Sequence, residues 1–175
     1  MKKVLIIGSG GTGKSTFAKR LGEILAVEVF HLDSLYLRPG WVETPKPEWS
    51  TTVRGLLQHD PWIIDGNYGG TRDMRLKACD TVILLDLPPI VCLYRILKRT
   101  ALLHGRTRPD MAEGCNERFV LEFAAWVWNY RKRNLPEVLS DLDAAVGKNI
   151  IILRSAREVD AFLSELKKKY EIEPQ

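Results

Sequence analysis

Cysteine is scarce in this chain of 175 residues: Cys79, Cys92 and Cys115 make an odd set with no Cys-x-x-Cys spacing. That excludes a disulfide framework and a cysteine-built zinc site, and the three read as ordinary reduced thiols. Long apolar runs are lacking too. None approaches the roughly 20 residues that span a bilayer. The aliphatic stretch at 4–7 is too short for a signal peptide and passes straight into glycines and Lys14. The expectation is therefore a cytoplasmic protein with no membrane partner. Internal repeats and low-complexity tracts are absent, and no helix-turn-helix pattern is visible. No Asn-Lys-x-Asp stretch occurs, which disfavours a guanine nucleotide.

What remains is an ordinary globular composition, 45% hydrophobic and 27% charged. Its length suits a single domain over residues 1–175 with a real core. A formal net charge of +4 and a pI near 9.0 suit phosphate ligands or weak attraction to nucleic acid, without choosing between them. Short aliphatic runs alternate with amphipathic stretches, the pattern of βαβ units around a parallel sheet. Strands are expected at 4–7, 27–31, 62–64, 81–85 and 149–153, and a first helix at 14–26 with Phe17, Leu21, Ile24 and Leu25 on one face. The last helix should begin at Ser155, because Glu158 three residues on makes a capping box. Trp49 with Val53, Leu56 and Leu57 forms a core stripe on a helix at 47–58. Trp126 with Phe119, Phe123, Val127 and Tyr130 forms another buried face, from which Trp128 is excluded. Two segments, 37–47 and 100–116, break the rhythm and read as substrate loops or irregular connections.

The strongest motif is Gly8-Ser9-Gly10-Gly11-Thr12-Gly13-Lys14-Ser15, followed by Thr16. A strand before it and a helix after it give the context of a Walker A phosphate loop. Glycines let backbone amides approach phosphate oxygens, and the helix start adds unpaired N–H groups. Lys14 can neutralise the β- and γ-phosphates of ATP while the Ser15 hydroxyl ligates Mg2+.

Beyond this loop, Asp65-Gly66-Asn67-Tyr68 resembles the Asp-Gly-Phe-Pro-Arg segment of adenylate kinases and related nucleoside monophosphate kinases. Arg95-Ile96-Leu97-Lys98-Arg99 is similar to the start of their lid, and Thr107-Arg108-Pro109-Asp110, with Arg118 behind, to its end. A narrower resemblance joins His31-Leu32-Asp33, Pro39-Gly40-Trp41 and Trp126-x-Trp128-Asn129-Tyr130 to bacterial adenylate-kinase-related proteins labelled DNA topology modulation proteins.

The resemblance implies an α/β three-layer P-loop NTPase fold with a five-stranded parallel sheet, an acceptor excursion at about 34–60 and a short lid at about 99–118. It implies Asp65 as a magnesium carboxylate acting through water, and Asp33 as the acid facing the acceptor. Arg95 would lie along adenine, Arg99 would reach the phosphates, and Arg108 and Arg118 would close over the γ-phosphate. Tyr36 and Trp41 would offer aromatic faces to a base or sugar. His31 reads as a packed strand residue. The chain departs from the kinase pattern where that pattern places arginines on the acceptor's phosphate, having Tyr36 and Gly69 there. Arg38, Arg72 and Arg75 are the nearby substitutes. The expected activity is ATP-dependent phosphoryl transfer to a small hydroxyl- or phosphate-bearing acceptor. The alternatives are a regulatory ATP-binding protein acting on DNA topology, with nucleic acid as the less favoured partner, and an ATPase or GTPase switch.

Overall fold

Aliphatic runs with no polar alternation bury on both sides, which is the position of a strand inside a parallel sheet. A computed structural model describes residues 1–108 and 110–172. Among them the chain runs β1 (Lys3–Gly8), α1 (Lys14–Leu25), β2 (Val29–His31), α2 (Leu32–Tyr36), β3 (Leu37–Arg38), β4 (Val42–Glu43), α3 (Lys46–Leu56), β5 (Trp62–Asp65), α4 (Arg72–Ala78), β6 (Thr81–Leu85), α5 (Pro89–Leu103), α6 (Leu121–Arg133), α7 (Leu135–Ala144), β7 (Asn149–Leu153) and α8 (Ala156–Ile172). The main sheet is five-stranded and parallel in the order β2-β5-β1-β6-β7.

β1 lies at the centre, with Ile6 beside Asp65 and Gly8 beside Leu85. All five strands therefore end at the same edge. From β1 the chain travels to β2 on one side, and from β6 to β7 on the other. Such a parting of connections opens a crevice beyond the carboxyl ends of the strands.

Strand alternation divides the core between the two faces. Leu5, Ile7, Ile64 and Leu84 pack with Trp49 and Val53 of α3, Leu76 of α4 and Val138 of α7. Val4, Ile6, Ile63 and Ile83 pack with Phe17 and Leu21 of α1, Ile96 of α5 and Leu163 of α8. Helices thus cover both faces, as the sequence implied. The capping box forms: the Glu158 N–H donates to Ser155 Oγ, and Glu158 Oε2 accepts from the Arg154 N–H. Cys79, Cys92 and Cys115 are buried free thiols.

Three expectations need correction. Segment 37–47 is not irregular throughout, because β3 and β4 pair there as a small antiparallel hairpin turning through Gly40 (φ 79) and Trp41 (φ 67). α5 runs to Leu103, so helix replaces the start of the expected loop at 100–116. The aromatic stripe around Trp126 is only partly core. Val127 and Tyr130 are buried, but Phe119, Phe123 and Trp126 are exposed, since α6 begins only at Leu121 and turns these rings off the sheet. Trp128 is exposed as expected, at 56%.

One buried charge fixes the loop after β5. Arg75 is fully buried and donates to the carbonyls of Gly66 (2.8 Å), Asn67 (2.7 Å), Tyr68 (2.8 Å) and Thr71 (3.3 Å). Burial draws its pKa down to about 9, so it stays protonated at neutral pH. Replacing it would strand buried carbonyls with no donor. Arg75→Ala is expected to cost about 3–5 kcal/mol in urea unfolding, and a loss below about 1 kcal/mol would contradict this role.

Candidate active site

The loop from β1 to α1 is shaped by contacts that only glycine permits. A Cβ on Gly8 would strike the Leu85 carbonyl, and one on Gly11 the Cys92 carbonyl. Inside the loop, Thr12 Oγ1 and Lys14 Nζ both donate to the Ser9 carbonyl at 2.9 Å. α1 begins at Gly13 with no side-chain cap and no acid in its first turn. Its leading N–H groups are thus left for an anionic ligand. Asn67 locks the loop's root: its Oδ1 accepts from the Gly8 N–H at 3.1 Å and its Nδ2 donates to the Gly8 carbonyl at 2.7 Å.

A cleft of about 770 Å3 opens over this loop. Of the residues the sequence marked, Gly10, Gly11, Thr12, Gly13, Lys14, Ser15, Thr16, Asp33, Arg95, Arg99 and Arg108 line it. Gly8 and Ser9 lie buried at the base of the loop. Asp65 sits behind the cleft wall and is 4% exposed. Arg118 is brought elsewhere, its guanidinium 5.7 Å from the ring centre of Trp41. Pro109 lies outside the described residues.

The arginines are held by carboxylates and carbonyls. Arg95 Nη1 donates to the Thr12 carbonyl at 3.0 Å. Glu117, 4% exposed, accepts from Arg99 Nε at 3.0 Å and Thr100 Oγ1 at 3.1 Å. Arg108 Nε lies 3.0 Å from the other Glu117 oxygen, an ion pair without hydrogen-bond alignment, and Arg108 also pairs with Asp110 at 3.2 Å. Burial, then repulsion from Arg108, lowers the Arg99 pKa.

Across the cleft stand Asp33 and His31. The Tyr68 hydroxyl donates to Asp33 Oδ1 at 2.7 Å, and burial, with the Asp33 charge, raises the phenol pKa far above its usual value. Tyr68 is thus a permanent donor to that carboxylate. Tyr36, Trp49 and Tyr68 pack together with ring centres 4.6–5.2 Å apart, so Tyr36 is part of this support and does not line this cleft. Trp41 likewise lines no cleft. It lies in the hairpin turn, donating Nε1–H to the Asn116 carbonyl at 3.2 Å. His31 Nδ1 lies 2.6 Å from Asp65 Oδ2; that hydrogen bond raises the imidazole pKa against the desolvation that lowers it.

The arginines offered as replacements for the acceptor-phosphate clamp are committed elsewhere. Arg75 holds the loop carbonyls, Arg72 pairs with Glu137 and Asp141, and Arg38 pairs with Glu48 at the surface. Tertiary packing brings Phe123 against Gly10 and Asp110 to the cleft beside Arg108. Glu117, buried behind Arg99 and Arg108, carried no signal in the sequence. His31, read as a packed strand residue, lines the cleft.

The oxygen donors suit magnesium. Among the described residues no group of three or more His, Cys, Asp or Glu side chains forms a metal cage. Magnesium characteristically takes one or two protein oxygens and fills its octahedron with phosphate and water. The Ser15 hydroxyl lines the cleft and is an oxygen donor of this kind, and the Asp65 carboxylate lies behind the cleft wall, bonded to His31.

A five-stranded parallel sheet covered by helices on both faces, with the glycine loop leading into α1, defines the α/β P-loop NTPase fold. The fold is similar to that of a shikimate kinase from Bacteroides thetaiotaomicron (13% identity, 97% of this chain and 98% of that one, TM-score 0.51). It is also similar to a gluconokinase from Sinorhizobium meliloti 1021 (14%, 99% and 98%, 0.51). A third likeness is to a deoxyadenosine kinase from M. mycoides (16%, 95% and 99%, 0.50), a structure holding dCMP and a flexible dCDP. No protein-family model matches the chain, and no curated protein matches it by sequence.

Glu117 is the counter-charge for two half-buried arginines. Glu117→Gln is expected to destabilise the protein by about 2–4 kcal/mol in urea unfolding, whereas breaking the more exposed Arg131–Asp86 pair with Arg131→Gln should cost under about 1 kcal/mol. Equal losses would contradict the assignment.

Proposed function

We propose that this chain is an ATP-dependent phosphotransferase acting on a small hydroxyl-bearing acceptor. One observation carries the reading: an uncapped helix start with Lys14, the side chains of Arg95, Arg99 and Arg108, and a fixed carboxylate, Asp33, all face one cleft. The three fold neighbours described above are named as kinases of small molecules or nucleosides, which supports the class of reaction.

In this reading residues 1–175 work as one kinase domain. The α1 N–H groups and Lys14 hold the β- and γ-phosphates of ATP, and Arg95 lies alongside the nucleotide. Ser15 directly, and Asp65 through water, would hold Mg2+, which would supply positive charge against the phosphates. Segment 99–118 is the lid, and Arg99 and Arg108 turn from Glu117 toward the γ-phosphate as charge builds there. Asp33, aimed by Tyr68, takes the proton of the acceptor hydroxyl. That oxygen bonds to the γ-phosphorus while the bond from phosphorus to the β–γ bridging oxygen breaks, and ADP leaves with the electron pair. Segment 34–60 forms the acceptor side. Arg118 serves there as a fastener on Trp41, beside bonds from the Gly40 N–H to the Gly114 carbonyl and from Cys115 Sγ to the Arg38 carbonyl.

The narrower likeness to DNA topology modulation proteins adds a label but no site. The cations that line the cleft surround the phosphate loop, and among the described residues no DNA-reading element accompanies them. Chemistry on ATP phosphates is compatible with a cytoplasmic setting, and no described helix is long and apolar enough to cross a membrane.

The test is ADP release from MgATP across nucleosides, polyols and amino alcohols. Acceptor-dependent release that falls at least about 100-fold in Asp33→Asn, with ATP affinity kept, is the expected result. Release that ignores both the acceptor and Asp33 would leave only an ATPase. Asn67→Ala, which frees the root of the phosphate loop, is expected to weaken ATP binding about tenfold by calorimetry without altering the acceptor KM.

A further inference from the structure

The acceptor end of the cleft has a distinct electrostatic character. The wall on the β2 side is formed by Asp33 and His31, with Asp110 approaching from segment 104–120. The carboxylates of Asp65, Asp110 and Asp33 all bear on His31, and its Nδ1 is engaged by Asp65. The arginines that sequence proximity offered for an acceptor's anion have other partners, and Arg118 lies over the Trp41 ring. Arg38 pairs with Glu48, Arg72 with Glu137 and Asp141, and Arg75 is bound to backbone carbonyls. Arg108, the cleft arginine that touches Asp110, is shared between Asp110 and the buried Glu117.

An acceptor carrying phosphate or carboxylate needs a bidentate cation or a set of free N–H donors where that group lands. Here it would meet the Asp33 carboxylate, held in place by the Tyr68 hydroxyl. A hydroxyl donor, by contrast, finds an oriented acceptor in Asp33, and an ammonium group finds the Asp33 and Asp110 carboxylates.

We infer that the acceptor is a hydroxyl compound without negative charge, such as a nucleoside, polyol or amino alcohol, and that its phosphorylated or carboxylated counterparts are rejected. This rests on the phosphotransferase reading above and narrows it. The step is the same: the neutral hydroxyl becomes a phosphate ester, its proton passes to Asp33, and ATP becomes ADP. The product carries the negative charge that this end of the cleft disfavours, so the acceptor site also favours product release.

The test uses paired acceptors that share one skeleton, a nucleoside against its 5′-monophosphate and a polyol against the matching sugar acid, with MgATP and the full chain. The uncharged member of a pair is expected to show kcat/KM at least about 100-fold higher. Equal or better turnover of the anionic member would overturn the inference and leave the phosphotransferase reading standing. A second arm needs no turnover: with MgADP bound, calorimetry compares the uncharged and anionic members of each pair. Binding of the uncharged member at least about tenfold tighter is expected, and equal or tighter binding of the anionic member would overturn the inference. If MgATP itself does not bind, the phosphotransferase reading falls, and the inference falls with it by a separate and visible route.

Discussion

Asp65, the last residue of β5, and the three residues after it, Gly66 to Tyr68, tie the two halves of the cleft together. Arg75, buried in α4, grips the carbonyls of Gly66, Asn67 and Tyr68 and so fixes this loop's path. From that fixed path Asn67 reaches one way and pairs with both backbone groups of Gly8 at the root of the phosphate loop. Tyr68 reaches the other way and holds Asp33. Asp65, one residue before the loop turns, holds His31. Groups on β1 and β2, which are not adjacent strands, are therefore positioned by a single segment on the strand between them. Reaction geometry tolerates little error, and a shared mount keeps donor and acceptor groups in one frame.

The second constraint is charge. Lys14, Arg95, Arg99 and Arg108 converge on one cleft, and such crowding would be unfavourable without compensation. The structure answers with partners: the Ser9 carbonyl for Lys14, the Thr12 carbonyl for Arg95, and Glu117 for Arg99 and Arg108. In the proposed reaction a triphosphate would offer each cation a stronger partner than a carbonyl does. Glu117 would then compete for Arg99 and Arg108 until charge developed on the transferring group.

Legibility in the sequence followed from how local each signal was. The glycine loop, the strands at the centre of the sheet and the Ser155–Glu158 cap were readable because a few adjacent residues determine each. The hairpin at β3–β4 was not, since its two-residue strands carry no periodicity and its turn places a tryptophan at positive φ. The departure from the kinase pattern was visible as Tyr36 and Gly69, and proximity in sequence offered Arg38, Arg72 and Arg75 as substitutes, each of which the fold gives another partner. Their partners, Glu48, Glu137, Asp141 and backbone carbonyls, could not be read from spacing. Glu117 was missed for the same reason, because only the fold brings it within reach of Arg99 and Arg108. The aromatic stripe on α6 followed helical spacing, but the sheet was already covered by Val127 and Tyr130, leaving Phe123 free to lie against the phosphate loop.

The account stands or falls on whether the cleft over Gly8–Ser15 is where ATP sits. The most direct measurement is a calorimetric titration of the wild-type protein and of Lys14→Met with ATP in the presence of magnesium. One ATP per chain, bound at least about tenfold more weakly when the lysine charge is removed, is the predicted result. Absence of binding to the wild type, or the same affinity in both proteins, would contradict it.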